Sequence, residues 1–207
     1  MEHKIIVVGI GPGSPDYLPP VSQRAIDRAA VLVGSARALA AFAAEVETYV
    51  IDRDIPAVLA FIRQKRQECE VVVLVSGDPG FYSLLAALRQ EFPPEAVTVI
   101  PGISSLQLAF ARLGEIWQDA VLVSLHGRKV NDGVLAYEAN KKLGILTDRE
   151  YNPRKISQLL LERGWPAAAK TWLCANLSYD TEEICAATLE QAAQLDGYNH
   201  CVMVVKG

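Results

Sequence analysis

The chain has 207 residues, 51 % of them hydrophobic, with 20 Lys and Arg against 24 Asp and Glu for a net charge of −4. That apolar share allows full cores in one large domain or two small ones, and the interspersed charges form no basic stripe for a phosphate backbone, which excludes nucleic acid as the expected partner. Cys69, Cys174, Cys185 and Cys201 make no CxxC pair and stand far from His3, His126 and His200, so free thiols in a reducing compartment are expected, with no metal ligand.

MEHK leads directly into the strand-like IIVVGI (5–10), without the flanks of a secretory signal, and a cytoplasmic location is expected. GPGSPDYLPP follows, and its four prolines predict a non-helical loop up to Ser22, the first N-cap candidate, before the helical SQRAIDRAA. The apolar runs AAVLVG (29–34), TYVID (48–52), VVVLVSG (71–77) and VTVIPG (97–102) then alternate with helix-periodic stretches such as IPAVLAFIRQKRQE and SLLAALRQEF. The alanine-rich segment from Ala29 to Ala44 is interrupted by Gly34, Ser35 and Arg37 and falls short of the roughly 20 apolar residues of a membrane span. This alternation predicts an α/β fold whose parallel sheet is covered on both faces.

The pattern breaks at RLGEIWQDA (112–120) and restarts with AVLVSL (120–125), LGILT (143–147), TWLCANL (171–177) and CVMVV (201–205). One helix is expected to open at Asn152-Pro153, and another near Asp180, with Glu183 at the capping-box position. The division predicted is a lobe of residues 1–114 and a second of 115–207.

Closely spaced glycines after the first strand suggest a dinucleotide site, but the spacing is G-x-G-x-G, with Ser14 where a third glycine belongs. The prolines also hold the next helix too far away to face a pyrophosphate. Two more strand ends carry small-residue loops, SGDPGFYS (76–83) and PGISS (101–105). In an open parallel sheet ligands bind beyond the carboxyl ends of the strands, so three such loops together predict a binding cleft. Asp78 could accept hydrogen bonds from a ligand or close an Asx-turn on its own backbone, and Ser104 and Ser105 could cap the helix SLQLAFARL. No HExxH, G-x-S-x-G or P-loop signature is present.

Taken in order, VVGIGPGSPDYL, VSGDPGFYSLL and VIPGISSLQLAFARLG resemble the tetrapyrrole methylase family, and DAVLVSLHGR, LGILTD and CANLSYDTEEI resemble its branch acting at carbon 5 of a late corrin precursor. The resemblance implies a parallel-sheet N-terminal lobe, a smaller mixed-sheet C-terminal lobe, a homodimer, and S-adenosylmethionine as methyl donor bound in a cleft between the lobes. It implies donor contacts at Ile10, Asp78, Phe81, Ser104, Ser105, Thr147 and Ala175. Gly11, Pro12, Gly13 and Tyr17 would line the substrate trough, with Arg37 and Lys129 as cations for the substrate's carboxylates. At a strand end facing the cleft, Arg128 is expected to hold a carboxylate in bidentate fashion, and His126 is the expected proton acceptor if one is needed at the reacting carbon. Three positions depart from the family pattern: Pro19 where threonine is common, Ala175 where glutamate is frequent, and Glu183 in place of an arginine. Some relatives carry a second, decarboxylating methyltransferase domain; this chain ends at VKG, so that step is expected of a separate protein. Alternatives are another methylase of the same fold, including a diphthamide-type one, a non-catalytic binding protein and, last, a nicotinamide oxidoreductase.

Overall fold

A computed structural model describes residues 2–42, 45–125, 132–198 and 200–207, and the chain divides into two compact units at Ser104/Ser105. In the first unit β1 (Ile5–Gly9), β2 (Val31–Gly34), β3 (Glu47–Val50), β4 (Val71–Val75) and β5 (Val97–Ile100) form one sheet in the order β3-β2-β4-β1-β5, with every pairing parallel. The connecting helices are α1 (Pro20–Asp27), α2 (Ala36–Phe42), α3 (Ile55–Lys65) and α4 (Leu85–Glu91). Ile26, Ala38 and Leu39 pack with Val8, Leu32 and Val72, so α1 and α2 cover one face. Val58, Ile62 and Leu88 pack with Val7, Val33 and Val73, so α3 and α4 cover the other. Burial on both faces explains why β4 reads VVVLV without alternation, since all five residues are inside.

The second unit contains β6 (Ala120–Ser124), β7 (Lys142–Leu146), β8 (Lys170–Ala175), β9 (Glu183–Thr188) and β10 (Cys201–Lys206), ordered β6-β7-β10-β8-β9. Only β6 and β7 pair parallel, which makes the sheet mixed. Helix α5 (Ser105–Leu113) packs on β7 and β10. On the other face Ile156 and Leu160 of α7 (Pro153–Glu162) and Leu189 of α8 (Leu189–Ala192) close over Leu143, Ile145 and Met203. A short α6 (Asp132–Leu135) precedes β7. Helix α5 thus belongs with the second unit, whereas the sequence rhythm groups it with the first.

Lys142 is buried at the start of β7, where its ammonium donates to the Ile116 carbonyl (2.6 Å) and Asp119 Oδ1 (3.1 Å), with Glu115 at 3.4 Å. Glu115 also accepts from Lys206 at 3.1 Å. A desolvated ammonium needs such oxygens, and the arrangement fixes the segment between α5 and β6. The Lys206 hydrogen bond holds the Glu115 carboxyl below its usual range, and the Lys142 hydrogen bond does the same for Asp119.

Helix α7 opens as its sequence predicts, with Asn152 Oδ1 accepting the Lys155 N–H at 3.0 Å. Two other starts differ. Helix α1 begins at Pro20, not Ser22, after a 3₁₀ turn at Pro15–Tyr17. Proline suits the first helical position because its missing N–H would have had no partner there. No helix opens at Asp180: the chain turns and runs into β9, whose six residues pair antiparallel with β8. Pairing along a whole strand outweighs a local capping signal. The capping box in this region is formed instead by Thr188 and Gln191, at the start of α8. Among the described residues no helix is long and apolar enough to cross a membrane.

Candidate active site

The strand order sets β4, β1 and β5 side by side and in one direction, so their three glycine-bearing loops leave from one edge of the sheet. There the backbones touch. A Cβ on Gly9 would fall 2.5 Å from the Gly102 nitrogen and 2.7 Å from the Gly77 carbonyl oxygen; one on Gly102 would fall 2.3 Å from that same oxygen. The Gly77 N–H donates to the Gly11 carbonyl at 2.8 Å, and both residues take positive φ, +70° and +76°, which glycine adopts without a Cβ clash. The Ile10 N–H donates to the Val75 carbonyl at 3.0 Å.

Two side chains fasten this junction. Asp78 Oδ1 accepts the Gly80 N–H at 2.8 Å and Oδ2 accepts the Gly102 N–H at 3.1 Å, joining the second loop to the third. Asp78 therefore closes the Asx-turn and also makes a longer-range bond. Ser22, fully buried in α1, donates its hydroxyl to the Gly9 carbonyl at 3.2 Å. In the sequence Ser22 is an N-cap candidate; the signal for this second role is a serine on the buried face of the helix.

The structure brings most of the predicted first-unit residues to this edge. Ile10 is buried directly after β1, and Phe81 is half-buried with its ring edge-on to Tyr82, 4.6 Å between centroids. Tyr82 is exposed and holds φ +50°, a left-handed conformation uncommon for an aromatic residue. Gly11, Pro12 and Gly13 run out from β1 and the loop folds back on Tyr17, whose carbonyl oxygen would lie 3.0 Å from a Cβ on Gly11. Ser104 lies against Gly77 at the end of the third loop, and Ser105 is the first residue of α5. Arg37 is exposed at the start of α2, beyond the carboxyl end of β2.

In the second unit Thr147 and Ala175 also come together. Thr147 follows β7 and donates its hydroxyl to the Cys201 carbonyl at 2.7 Å, and Ala175, the last residue of β8, pairs with Cys201 across the ladder. Both are buried. A polar hollow of about 400 Å³ opens beside Ala175, lined also by Asn176, Glu183, Asp196, Gly197 and Tyr198. The Tyr198 hydroxyl donates to Glu183 Oε1 at 3.2 Å, and the neighbouring Cys185 thiol pushes the phenol's pKa upward. Glu183 is thus a hydrogen-bond acceptor in this hollow. Burial raises Cys174 to about 12 and pushes Cys201 up as well, so neither supplies a thiolate near neutral pH. His126, Arg128 and Lys129 lie outside the described residues. Among the described residues no group of three or more His, Cys, Asp or Glu is arranged to hold a metal ion.

A sequence profile described as Tetrapyrrole (Corrin/Porphyrin) Methylases matches residues 4–193. The chain belongs to this family. Among curated relatives, the cobalt-precorrin-7 C(5)-methyltransferase of Salmonella typhimurium is 39 % identical over 77 % of this chain and 79 % of its own length. A probable cobalt-precorrin-7 C(5)-methyltransferase of Methanocaldococcus jannaschii is 30 % identical over 98 % of both chains. The chain also matches 41 % of the length of the precorrin-6Y C(5,15)-methyltransferase [decarboxylating] of a Sinorhizobium species, at 30 % identity over 82 % of this chain. Among solved structures, the methyltransferase CobJ superposes with a TM-score of 0.79 at 20 % identity, covering 99 % of this chain and 94 % of that one. The uroporphyrin-III C-methyl transferase of Thermus thermophilus, crystallised with S-adenosylhomocysteine, gives 0.75 at 23 % identity, covering 98 % and 91 %. At these identities the superpositions establish that the two-unit α/β architecture is the tetrapyrrole methylase fold.

One contact in the stretch CANLSYDTEEI is tied to a titrating group. Glu182 takes Arg112 of α5 at 2.5 Å and accepts the Ser178 N–H at 2.8 Å, closing a loop in which Asn176 and Ser178 both hold positive φ. The Arg112 hydrogen bond, followed by the Ser178 N–H, keeps the Glu182 carboxyl below the usual carboxylate range. A depressed pKa stabilises the fold above the unfolded value, about 4.3 for glutamate, and that contribution is lost as pH falls through the lowered folded value. Thermal unfolding from pH 7 to 3 is expected to show the native protein above Glu182→Gln at neutral pH, with the gap closing below about pH 4.3. A gap independent of pH would mean that the charge does not hold the loop.

Proposed function

We propose that this protein transfers a methyl group from S-adenosylmethionine to carbon 5 of a late corrin precursor. The single observation that carries the reading is the meeting of three glycine loops at the carboxyl ends of β4, β1 and β5, in a chain whose relatives at 39 % and 30 % identity are named for that methylation. Support for the donor comes from the S-adenosylhomocysteine in the Thermus thermophilus structure.

The reaction is a displacement in which the ring carbon's electron pair attacks the sulfonium methyl, the sulfur–carbon bond breaks, and S-adenosylhomocysteine departs. The cofactor brings the reactive group and the protein positions it. Well-oriented partners gain effective molarities of about 10⁵–10⁸ M, so a backbone cradle can supply much of the acceleration. A rigid junction suits that role, because side chains of ordinary size are excluded from it, and carbonyl oxygens and N–H groups can approach the donor directly. In this reading Ile10, Asp78, Phe81, Ser104 and Ser105 contact the donor, with Thr147 and Ala175 as contacts from the second unit. Gly11 to Tyr17, Arg37 and Lys129 serve the substrate, Arg128 holds a carboxylate, and His126 accepts the proton released from the ring carbon. Any cobalt belongs to the substrate. The reading further takes the protein as a cytoplasmic homodimer, and assigns the decarboxylating methylation to a separate protein.

The test incubates purified protein with methyl-labelled donor and a corrin precursor unmethylated at carbon 5. A gain of one methyl group, located at carbon 5 by NMR and without loss of carbon dioxide, is expected. Donor binding with no transfer to any corrin precursor would overturn the catalytic reading, and release of carbon dioxide would overturn the division of labour. Light scattering in solution checks the dimer.

A further inference from the structure

The loop after β4 holds one residue in a conformation that costs energy. Tyr82 has φ +50° and is 46 % exposed, and a residue other than glycine stays in the left-handed region only where its surroundings fix it there. They do so on both sides. The Gly80 and Phe81 N–H groups donate to Asp78, at Oδ1 (2.8 Å) and at the carbonyl (3.2 Å). The Ser83 hydroxyl donates to the Pro79 carbonyl at 2.5 Å and accepts the Leu85 N–H at 3.0 Å. Pro79 is buried, and Leu84 and Leu85 pack against the core that includes β4. Glycine at position 82 would take the same turn without the cost, yet an aromatic ring stands there and nearly half of it meets solvent.

The rings of Phe81 and Tyr82 lie 4.6 Å apart at 86°, so they cannot both lie flat against one planar partner. Phe81 is the half-buried member of the pair and a candidate donor contact; the exposed ring of Tyr82 is left for a second body. Ile103 of the third loop is exposed as well, beside Gly102, where the Asp78 carboxylate joins the two loops. Asp78 is the single charged residue in SGDPGFYS and PGISS, so these loops offer mainly apolar and aromatic surface at the sheet's carboxyl edge. Such a surface suits the flat ring of an acceptor better than its carboxylates.

We propose that Tyr82 is a specificity-determining residue for the methyl acceptor: its ring is the platform against which the macrocycle stacks, beside the donor at Phe81. The proposal rests on the reading that a corrin precursor is the substrate. Aromatic faces stack on planar ligands whatever groups line the ligand's edge. The platform therefore sets the plane of the macrocycle and leaves its carboxylates to cations elsewhere.

The native protein, Tyr82→Phe, Tyr82→Ala and Tyr82→Gly are compared. Binding of a corrin precursor unmethylated at carbon 5 is followed through the macrocycle's visible absorption. Tyr82→Phe is expected to stay within about threefold of native affinity, and the alanine and glycine variants to bind about 10- to 100-fold more weakly. Calorimetry with S-adenosylhomocysteine is expected to give the native donor affinity throughout. In thermal unfolding the glycine variant should melt above the alanine variant, since both lack the ring and only glycine takes φ +50° without a Cβ clash. Unchanged precursor binding in the alanine and glycine variants would overturn the platform. So would a parallel loss of donor affinity, which would make Tyr82 part of the turn that holds the donor. A loss in Tyr82→Phe equal to that in Tyr82→Ala would assign the role to the hydroxyl and overturn stacking. Equal melting of the glycine and alanine variants would overturn the premise that the turn holds the ring against a cost. A native protein that binds the donor but no corrin precursor would overturn the substrate reading and the platform together, a result distinct from precursor binding that ignores the ring.

Discussion

Gly102→Ala is expected to abolish measurable donor binding and to lower the melting temperature more than any other glycine-to-alanine change at the three loops. Its new methyl would lie 2.3 Å from the Gly77 carbonyl oxygen and 2.8 Å from both the carbonyl carbon and the Cα of Gly9. All three atoms are backbone, held by β1 and by the turn after β4, so no side-chain rotation can relieve the overlap. Overpacking a core costs about 1–3 kcal/mol when side chains can yield. Here the strand ends themselves must separate, and a loss of at least about 3 kcal/mol follows. Function fails with stability because the displaced atoms are the ones expected to face the donor. Gly9→Ala should behave similarly, with contacts of 2.5 and 2.7 Å. Gly114→Ala is the control: its φ is +64° and nothing lies within 4 Å, so only the left-handed backbone cost of about 1–2 kcal/mol applies and donor affinity is retained. Calorimetry with S-adenosylhomocysteine and thermal unfolding of the three variants check this. Native-like affinity in Gly102→Ala would mean that the junction is looser than its distances indicate.

The same junction marks the boundary of what the sequence discloses. VVVLV is legible as a central strand because burial on both faces leaves a continuous apolar run, and the punctuation after β1, β4 and β5 is legible as loops. Their contact is not. Positions 9, 77 and 102 become neighbours only through the order β4-β1-β5, and strand order is a property of the assembled sheet. Asp78 illustrates this directly: its Asx-turn to Gly80 is a local pattern, whereas the bond to Gly102 exists only once two parallel strands flank β1. The pairing of Arg112 with Glu182, 70 residues apart, is likewise invisible along the chain. Strand β9 was hidden for another reason. EICAAT alternates weakly and follows Asp180, which together with Glu183 imitates a helix start, so a local signal pointed one way and the open edge of β8 decided the other. Thr147 and Ala175 are singled out by family resemblance alone, and the fold gives them a common neighbour in Cys201 that neither periodicity nor composition implies.

Gly144→Val in β7 is expected to destabilise the second unit by several kcal/mol, against the ordinary preference of strands for β-branched residues. Glycine inside a strand often marks the close approach of another element, and here the element is α5. A Cβ at this position would lie 2.8 Å from Leu122 Cδ2, 2.9 Å from Phe110 Cε2 and 3.0 Å from Leu106 Cδ2. Two of these belong to α5, and Phe110 is among the largest fully buried side chains of the protein. Because the contacted atoms are side-chain ends, alanine can be admitted by small rotations, while the two γ-methyls of valine require the helix to move. Phe110→Ala alone should cost about 3–5 kcal/mol through the cavity it leaves. The double variant separates steric overlap from any loss of strand pairing. If the ring and the valine compete for one space, the cost of Gly144→Val shrinks in the Phe110→Ala background, with a coupling of about 0.5–3 kcal/mol. Denaturant unfolding of the four proteins measures it. Additive costs would show that the glycine is required by the strand itself and not by the helix lying on it. A coupled result would also displace Ser105, since α5 begins there and a helix pushed off β7 carries that residue with it.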